Sequence, residues 1–315
     1  MIVVFGSLNV DIITKVEHLP VPGETVLCPS YVMVPGGKGS NQACAAARAA
    51  KGDPALASDR IAMVGATGDD DFGPQATAML ADAGVDLSAM ARVPHPTACA
   101  LIWVDAQGEN SIVVASGANL HIDAGQVPAA FLGPQTTLLL QMEVPAAQNW
   151  AVIETAKAAG ARIVLNVAPA APVPEAALKA IDVLVVNEIE AAMVAKEVGL
   201  AAGTPQESAR ALADRFGITV IVTLGGAGAA AYTAEGAWAV DALKITPVDT
   251  TGAGDAFAGV LAAALDHGLP LPDALRHASV AAALACTALG AQTSQPDAHA
   301  IASRLDELPP ARPLV

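Results

Sequence analysis

Short apolar runs alternate with alanine-rich stretches along most of the chain. RIAMVGA precedes FGPQATAMLADAG, TLLLQME precedes PAAQNWAVIETAKAAG, and RIVLNVA leads through DVLVVN to EIEAAMVAKEVG. Continuous apolar strands set between helices predict a mostly parallel sheet covered on both faces, since only a strand buried on both sides can dispense with polar positions. Four runs break this pattern. DIITKVE, TVLCPSYVMV, TACALIWVD and NSIVVAS mix polar and apolar positions and are joined by turns such as PVPGE and DAQGEN. They predict a small, partly solvated second sheet, built from two excursions at about 11–35 and 95–117 out of one α/β unit spanning 1–315. Such a flap is placed to be a lid, because open α/β sheets bind ligands at the carboxyl ends of their strands. DALKITPVD is expected as a further strand, and the tail LPPARPLV as a loosely held terminus.

Composition narrows the partners. The chain of 315 residues is 53% hydrophobic, enough for a large core, and carries a net charge of −15. That charge argues against nucleic acid or an anionic membrane surface, both of which need a basic footprint. Any anionic ligand must be held by backbone amides, metal ions and a few chosen cations. The opening MIVVFGSLNVDII has no basic stretch or cleavage site, and no apolar run approaches the ~18 residues of a spanning helix, so a cytoplasmic protein is expected. Cys28, Cys44, Cys99 and Cys286 are scattered and are expected as free, mostly buried thiols. The absence of H-x-x-x-H pairs and of a G-x-S-x-G elbow removes zinc and serine hydrolases.

Three segments can carry chemistry. In VPGGKGSNQACAAARAA, Gly36, Gly37 and Gly39 precede a helix expected from about Ser40 to Ala50, with Lys38 and Asn41 in its first turn. The glycines let backbone N–H groups approach a ligand, and the spacing is not that of a Walker A loop. In ITVIVTLGGAGAAAYT, Gly226, Gly228 and Ala231 imitate a dinucleotide fingerprint, which raises an NAD-dependent oxidoreductase as a rival. Its continuation into AWAV predicts a hairpin where that fingerprint needs a long helix. In VNEIEAAMVAKE, Asn187 and Glu190 stand at a strand-to-helix junction, either as partners of the helix dipole or facing a cleft that holds hydrated Mg²⁺. Glu143, at the end of TLLLQME, is placed to accept hydrogen bonds from a polyhydroxylated ligand.

The most informative segment is VDTTGAGDAF. Gly252, Ala253 and Gly254 expose bare amides at a helix N-terminus, a site for charge developing on a transferred phosphoryl group. Asp255 beside them would orient a substrate hydroxyl and take its proton. Helix-end amides are expected to lower its pKa and keep it ionised.

With GSLNVD, PGGKGSNQA, GENSIVVASGAN, LLLQMEVP, NEIEA, TLGGAGA, DTTGAGDAF and GAQTS in this order, the chain resembles the ribokinase family of carbohydrate kinases over almost its whole length. The resemblance implies a three-layer α/β core with a β lid, transfer of phosphate from ATP to D-ribose giving D-ribose 5-phosphate and ADP, Mg²⁺ dependence and activation by K⁺. By motif, Asn9, Asp11, Gly37, Lys38, Asn41 and Glu143 match sugar-binding positions. Asn187, Thr223, Gly225, Gly226, Gly228 and Gly254 match ATP contacts, and Ser279 stands near the adenine where relatives often have His or Asn. Glu190 matches the acidic position linked with Mg²⁺. Asp255 matches the catalytic base, with Gly252, Ala253 and Gly254 as its anion hole. Asp249, Thr251, Ala285, Ala288, Gly290 and Ser294 match a monovalent-cation site, Ala288 through its carbonyl where relatives often carry Arg. Deoxyribose, fructose or a nucleoside are alternative acceptors, and a sugar-binding regulator without turnover is a further alternative. A homodimer formed through the lid sheets is expected.

Overall fold

The computed structural model describes residues 1–52, 56, 60–201 and 203–314. Its strands in chain order are β1 (Ile2–Phe5), β2 (Asn9–Lys15), β3 (Tyr31–Gly36), β4 (Ile61–Val64), β5 (Ala66–Gly68), β6 (Ala91–Val93), β7 (Cys99–Val104) and β8 (Asn110–Ala115). They continue with β9 (Thr137–Leu140), β10 (Arg162–Asn166), β11 (Val183–Asn187), β12 (Thr219–Thr223), β13 (Ala229–Tyr232), β14 (Ala237–Val240) and β15 (Arg312–Pro313). The helices are α1 (Lys38–Ala50), α2 (Phe72–Ala83), α3 (Ala146–Ala158), α4 (Glu175–Leu178), α5 (Glu188–Glu197), α6 (Pro205–Phe216), α7 (Ala253–His267), α8 (Leu271–Ala285) and α9 (Ala298–Leu305).

The central sheet runs β15-β14-β13-β12-β11-β10-β9-β1-β4. It is parallel from β4 to β12, and β13, β14 and β15 close it as antiparallel strands. Strand alternation divides the core in two. Ile2, Val4, Leu139 and Val164 face a cluster that includes Ala43, Phe257 and Leu275, while Val3, Phe5, Leu138, Leu140 and Ile163 face one that includes Val152, Val194 and Leu212. Helices α1, α7 and α8 therefore cover one face and α3, α5 and α6 the other, giving three layers. Small residues allow the close packing of α1 on α7: a Cβ added to Gly259 would lie 2.4 Å from the carbonyl oxygen of Gln42.

A second sheet has the order β3-β2-β7-β8, with β2 parallel to β7 and the other pairs antiparallel. It is tied to the body at both ends of its first hairpin: only Gly6, Ser7 and Leu8 separate β1 from β2, and β3 ends at Gly36, just before α1. Its register Val32↔Ile13↔Ile102↔Ile112 sets four apolar side chains abreast on one face, with Val32 60% and Ile112 51% exposed.

Several expectations need correction. Of TVLCPSYVMV only Tyr31–Val34 is strand, because Pro29 interrupts the run and removes a donor. DALKITPVD forms no strand; Ala237–Val240 completes the hairpin, and the chain beyond it turns aside to line a cavity. The tail is not loose, since Arg312–Pro313 pairs with β14 and Leu314 N–H donates to Ala237 O at 2.8 Å; Val315 lies outside the described residues. All four cysteines are free, yet only Cys44 is buried.

Candidate active site

The carboxyl ends of β1, β9, β10, β11 and β12 converge with the start of α1 and α7, and the segments expected to carry chemistry meet there. Asp255, in the first turn of α7, is 6% exposed. Asn41 Nδ2 donates to its Oδ2 and Gln42 Nε2 to its Oδ1, both at 2.9 Å. Burial is the main influence on this carboxyl and pushes its pKa up, against the lowering by Lys38, Asn41 and Gln42. This reverses the expected direction, because the side chain is withdrawn into the protein and held by amide side chains. The helix has Gly252 as N-cap with φ 77° and no side-chain cap. The N–H of Ala253 already reaches Thr250 O at 3.3 Å, whereas a Cβ added to Gly254 would meet no atom within 4 Å, so that position faces open space.

The glycine turn before α1 is shaped by close approach. Gly37 has φ 93°, and a Cβ there would lie 2.8 Å from Asn9 N; one on Gly36 would strike the Asp11 carboxylate. Glu143 Oε2 accepts from Ser7 Oγ at 2.6 Å and from Lys38 N–H at 2.9 Å. Among the described residues, no donor reaches its Oε1. Asn119 Nδ2 donates to Asn9 Oδ1 at 2.9 Å and to Leu8 O at 3.1 Å, fixing the amide of Asn9. Asp11 is 8% exposed, and burial followed by the charges of Glu143 and Asp255 raises its pKa to about 7. Burial pulls the Lys38 ammonium the other way, but attraction to Asp255, Glu143, Glu190 and Asp11 prevails and pushes its pKa up, so it stays charged. Asn9, Asp11, Gly37, Lys38, Asn41, Glu143 and Asp255 are thus gathered into one polar cluster, here termed the recess.

Beside it lies a cavity of about 520 Å³, lined by Thr223, Gly225, Gly226 and Gly228 on one side and by Gly254 and Ser279 on the other. Gly228, at φ 96°, is required to be glycine because a Cβ would lie 2.0 Å from Val240 O. Asn187 is outside this lining, but it is the register partner of Thr223 at the carboxyl end of β11. It also forms a reciprocal cap with Glu190: Asn187 Oδ1 accepts from Glu190 N–H at 2.9 Å, and Glu190 Oε2 accepts from Asn187 N–H at 2.8 Å. Burial raises the pKa of Glu190, opposed by the bond from Asn187 and by Lys38.

A third group joins two loops. Asp249 Oδ1 accepts from Thr251 N–H and Oδ2 from Gly290 N–H, each at 2.9 Å. Burial works against ionisation here, but the hydrogen bonds from Thr251 and Gly290 hold the carboxyl below its usual range. Ser294 Oγ is buried without a protein partner. The ionised Asp249 carboxylate and the orphaned Ser294 oxygen, on the loop after α8 that also carries Ala288 and Gly290 and begins just beyond Ala285 at the helix end, fit a monovalent cation. For a divalent ion the described residues offer no group of three or more His, Cys, Asp or Glu. The fit to Mg²⁺ is therefore that of one carboxylate, Glu190, completed by water and phosphate oxygens.

The sequence-based set omitted Ser7, Gln42, Asn119, Gln141 and Asn166. All are polar and buried. The signal available was polarity inside apolar or glycine-rich runs: Gln42 in an alanine-rich helix, Gln141 within TLLLQME and Asn166 within RIVLNVA.

Residues 1–298 match the model of the pfkB family of carbohydrate kinases. The chain belongs to this family. It is 34% identical over 306 residues to a ribokinase of Schizosaccharomyces pombe, covering 94% of each chain. To a deoxyribokinase of Salmonella typhimurium it is 32% identical over 302 residues, covering 94% of this chain and 95% of the other. The structure of an Arabidopsis thaliana ribokinase complexed with ribose and ATP superposes with a TM-score of 0.84 at 30% identity, covering 96% of this chain and 98% of the other.

Proposed function

We propose that the chain transfers the γ-phosphoryl group of ATP to the 5-hydroxyl of D-ribose. The observation that carries this reading is Asp255: a buried carboxylate at the start of a helix, next in sequence to Gly254 of the cavity lining, with each oxygen oriented by an amide side chain. Asn9, Asp11, Lys38, Asn41 and Glu143 bind the sugar hydroxyls, and the amide of Gly37 supports them. The nucleotide occupies the glycine-lined cavity, with Asn187 at its edge and Ser279 against the adenine. As the 5-oxygen bonds to the γ-phosphorus, its proton passes to Asp255 and the bond to the β–γ bridging oxygen breaks, releasing ADP. The amides of the Gly252–Gly254 turn and the Lys38 ammonium offset the charge on the equatorial oxygens. Mg²⁺ held near Glu190 would neutralise phosphate charge, and K⁺ between Asp249, Thr251, Ala285, Ala288, Gly290 and Ser294 would stiffen the turn that carries Asp255. The second sheet acts as a lid that excludes water.

No helix among the described residues is long and apolar enough to cross a membrane. We take the protein to work in the cytoplasm as a homodimer joined through the apolar row on the lid. ADP release measured over ribose, 2-deoxyribose, fructose and nucleosides, in K⁺ and in Na⁺, tests the reading. Ribose is expected to give the highest kcat/KM; a maximum for 2-deoxyribose would transfer the assignment to that sugar, and no ADP release with any acceptor would remove it.

A further inference from the structure

Buried amides form a directed chain that ends on Asp255. Gln141 Nε2 donates to Gln42 Oε1 at 2.7 Å, and Gln42 Nε2 donates to both Asp255 Oδ1 at 2.9 Å and Asn166 Oδ1 at 3.0 Å. Asn166 Nδ2 passes on to Val185 O at 3.2 Å, and Asn149 Nδ2 holds Gln141 O at 2.7 Å. Gln42, Gln141 and Asn149 are fully buried. The direction follows from Asp255: an ionised carboxylate only accepts, so Gln42 must present its –NH₂ there, and its Oε1 must then find a donor, which Gln141 supplies. Gly6 makes room for this arrangement, since a Cβ there would lie 1.9 Å from Gln141 Oε1.

We propose that Gln42 is the positioning residue of the catalytic base, and that Gln141 locks its amide in the donating orientation. With Oδ1 held by Gln42 and Oδ2 steadied by Asn41, the free lone pair of Oδ2 is turned to the acceptor hydroxyl. A side-chain amide does this better than a charged donor, because it fixes direction without neutralising the base. The inference rests on the kinase reading above.

The test compares Gln42→Met, Gln42→Glu and Gln141→Met with the wild type by ADP release from ATP and ribose across pH, and by calorimetric ribose binding without nucleotide. Gln42→Met removes the donor at similar volume. It is expected to lower kcat ~10²-fold, the scale of a general-base contribution, with ribose affinity within ~3-fold. Loss of a hydrogen bond to the ionised form moves the acid limb of kcat/KM up by about one pH unit. Gln42→Glu sets a second carboxyl against Asp255 and moves the limb further. The groups facing Asp255 from elsewhere, Lys38, Glu143 and Asp11, are the same in every variant. Gln141→Met leaves the contact residues in place and produces the smaller change in the same direction, which keeps the test decisive if the Gln42 variants do not fold. An unmoved acid limb in folded variants, or loss of ribose binding in proportion to kcat, overturns the positioning role. A wild type that releases no ADP overturns the kinase reading instead.

Discussion

Asn41 Nδ2 lies 2.9 Å from Asp255 Oδ2, a contact across 214 positions of chain that joins the first turn of α1 to the first turn of α7. The same two residues belong to the recess proposed for the sugar, so acceptor binding and base orientation share a hydrogen bond. Asn41 Oδ1 is buried without a protein partner, so turning the amide over would break no hydrogen bond besides the one to Asp255.

That freedom sets the expectation for Asp255→Asn. The new –NH₂ would oppose one of the two donors now pointing at it, and Asn41 can rotate to offer its oxygen, so the recess survives. ADP release should fall by at least ~10²-fold in kcat while calorimetric ribose affinity changes little. Turnover near that of the wild type would remove Asp255 from the base role.

Asp11 ties stability to pH. Its pKa rises from 3.8 to about 7 on folding, so between these values the folded chain binds more protons than the unfolded one. Stability from this residue is therefore lost as pH climbs from about 4 to 7 and stays low above it. Asp11→Asn should gain on the wild type by a few kcal/mol at pH 8 and by nothing near pH 4, read by denaturant unfolding without ligand. Ribose affinity of this variant should drop at both pH values. A stability difference that does not vary with pH would contradict the assignment.

Asp249 links the turn before α7 to the loop after α8 through Thr251 N–H and Gly290 N–H. In Asp249→Ala both amides lose their acceptor and the proposed cation would lose its anionic ligand. The gain in kcat/KM on replacing Na⁺ with K⁺ should shrink at least ~10-fold, about 1.4 kcal/mol of coupling. The rise in melting temperature with K⁺ should also disappear. Retention of both responses would place the cation elsewhere.

The row Val32, Ile13, Ile102 and Ile112 gives the lid an apolar surface that the body of the protein leaves uncovered at its edges. Ile112→Lys would put a charge into the proposed lid-to-lid contact, at the β8 end of the row. Sedimentation should show the wild type as a dimer and the variant as a monomer at micromolar concentration, since a buried unpaired charge costs several kcal/mol. A wild type that sediments as a monomer would refute the dimer directly.

Much of the fold was legible because strands and helices announce themselves locally. TLLLQME and RIVLNVA could only be strands buried on both faces, and β9 and β10 are; TLGGAGA followed by AWAV indicated the hairpin of β13 and β14. Misreadings arose where non-local partners decide. DALKITPVD has strand-like composition, but beyond Val240 it pairs with no strand and instead walls the cavity, while Arg312–Pro313 becomes strand only because β14 offers an open edge. At the site, glycine motifs and acids at strand ends were visible as chemistry. Gln42 and Gln141 stood out only as polar positions inside apolar or alanine-rich runs, and the roles of these two, Ser7 and Asn119 were not visible, because a buried polar side chain is defined by what it touches.

By itself the sequence determined which groups are available: glycines where backbone must meet backbone or ligand, an aspartate opening an alanine-rich helix, and a net negative charge that argues against a basic binding surface. These follow from local sterics and charge, which residue type sets. The tertiary structure alone decided how Asp255 is held and which way its pKa moves. Helix-end position argued for a lowered value, but burial prevailed once α1 packed against α7 and brought Asn41 and Gln42 to the carboxylate. Desolvation depends on every surrounding atom, so no stretch of sequence around Asp255 carries it.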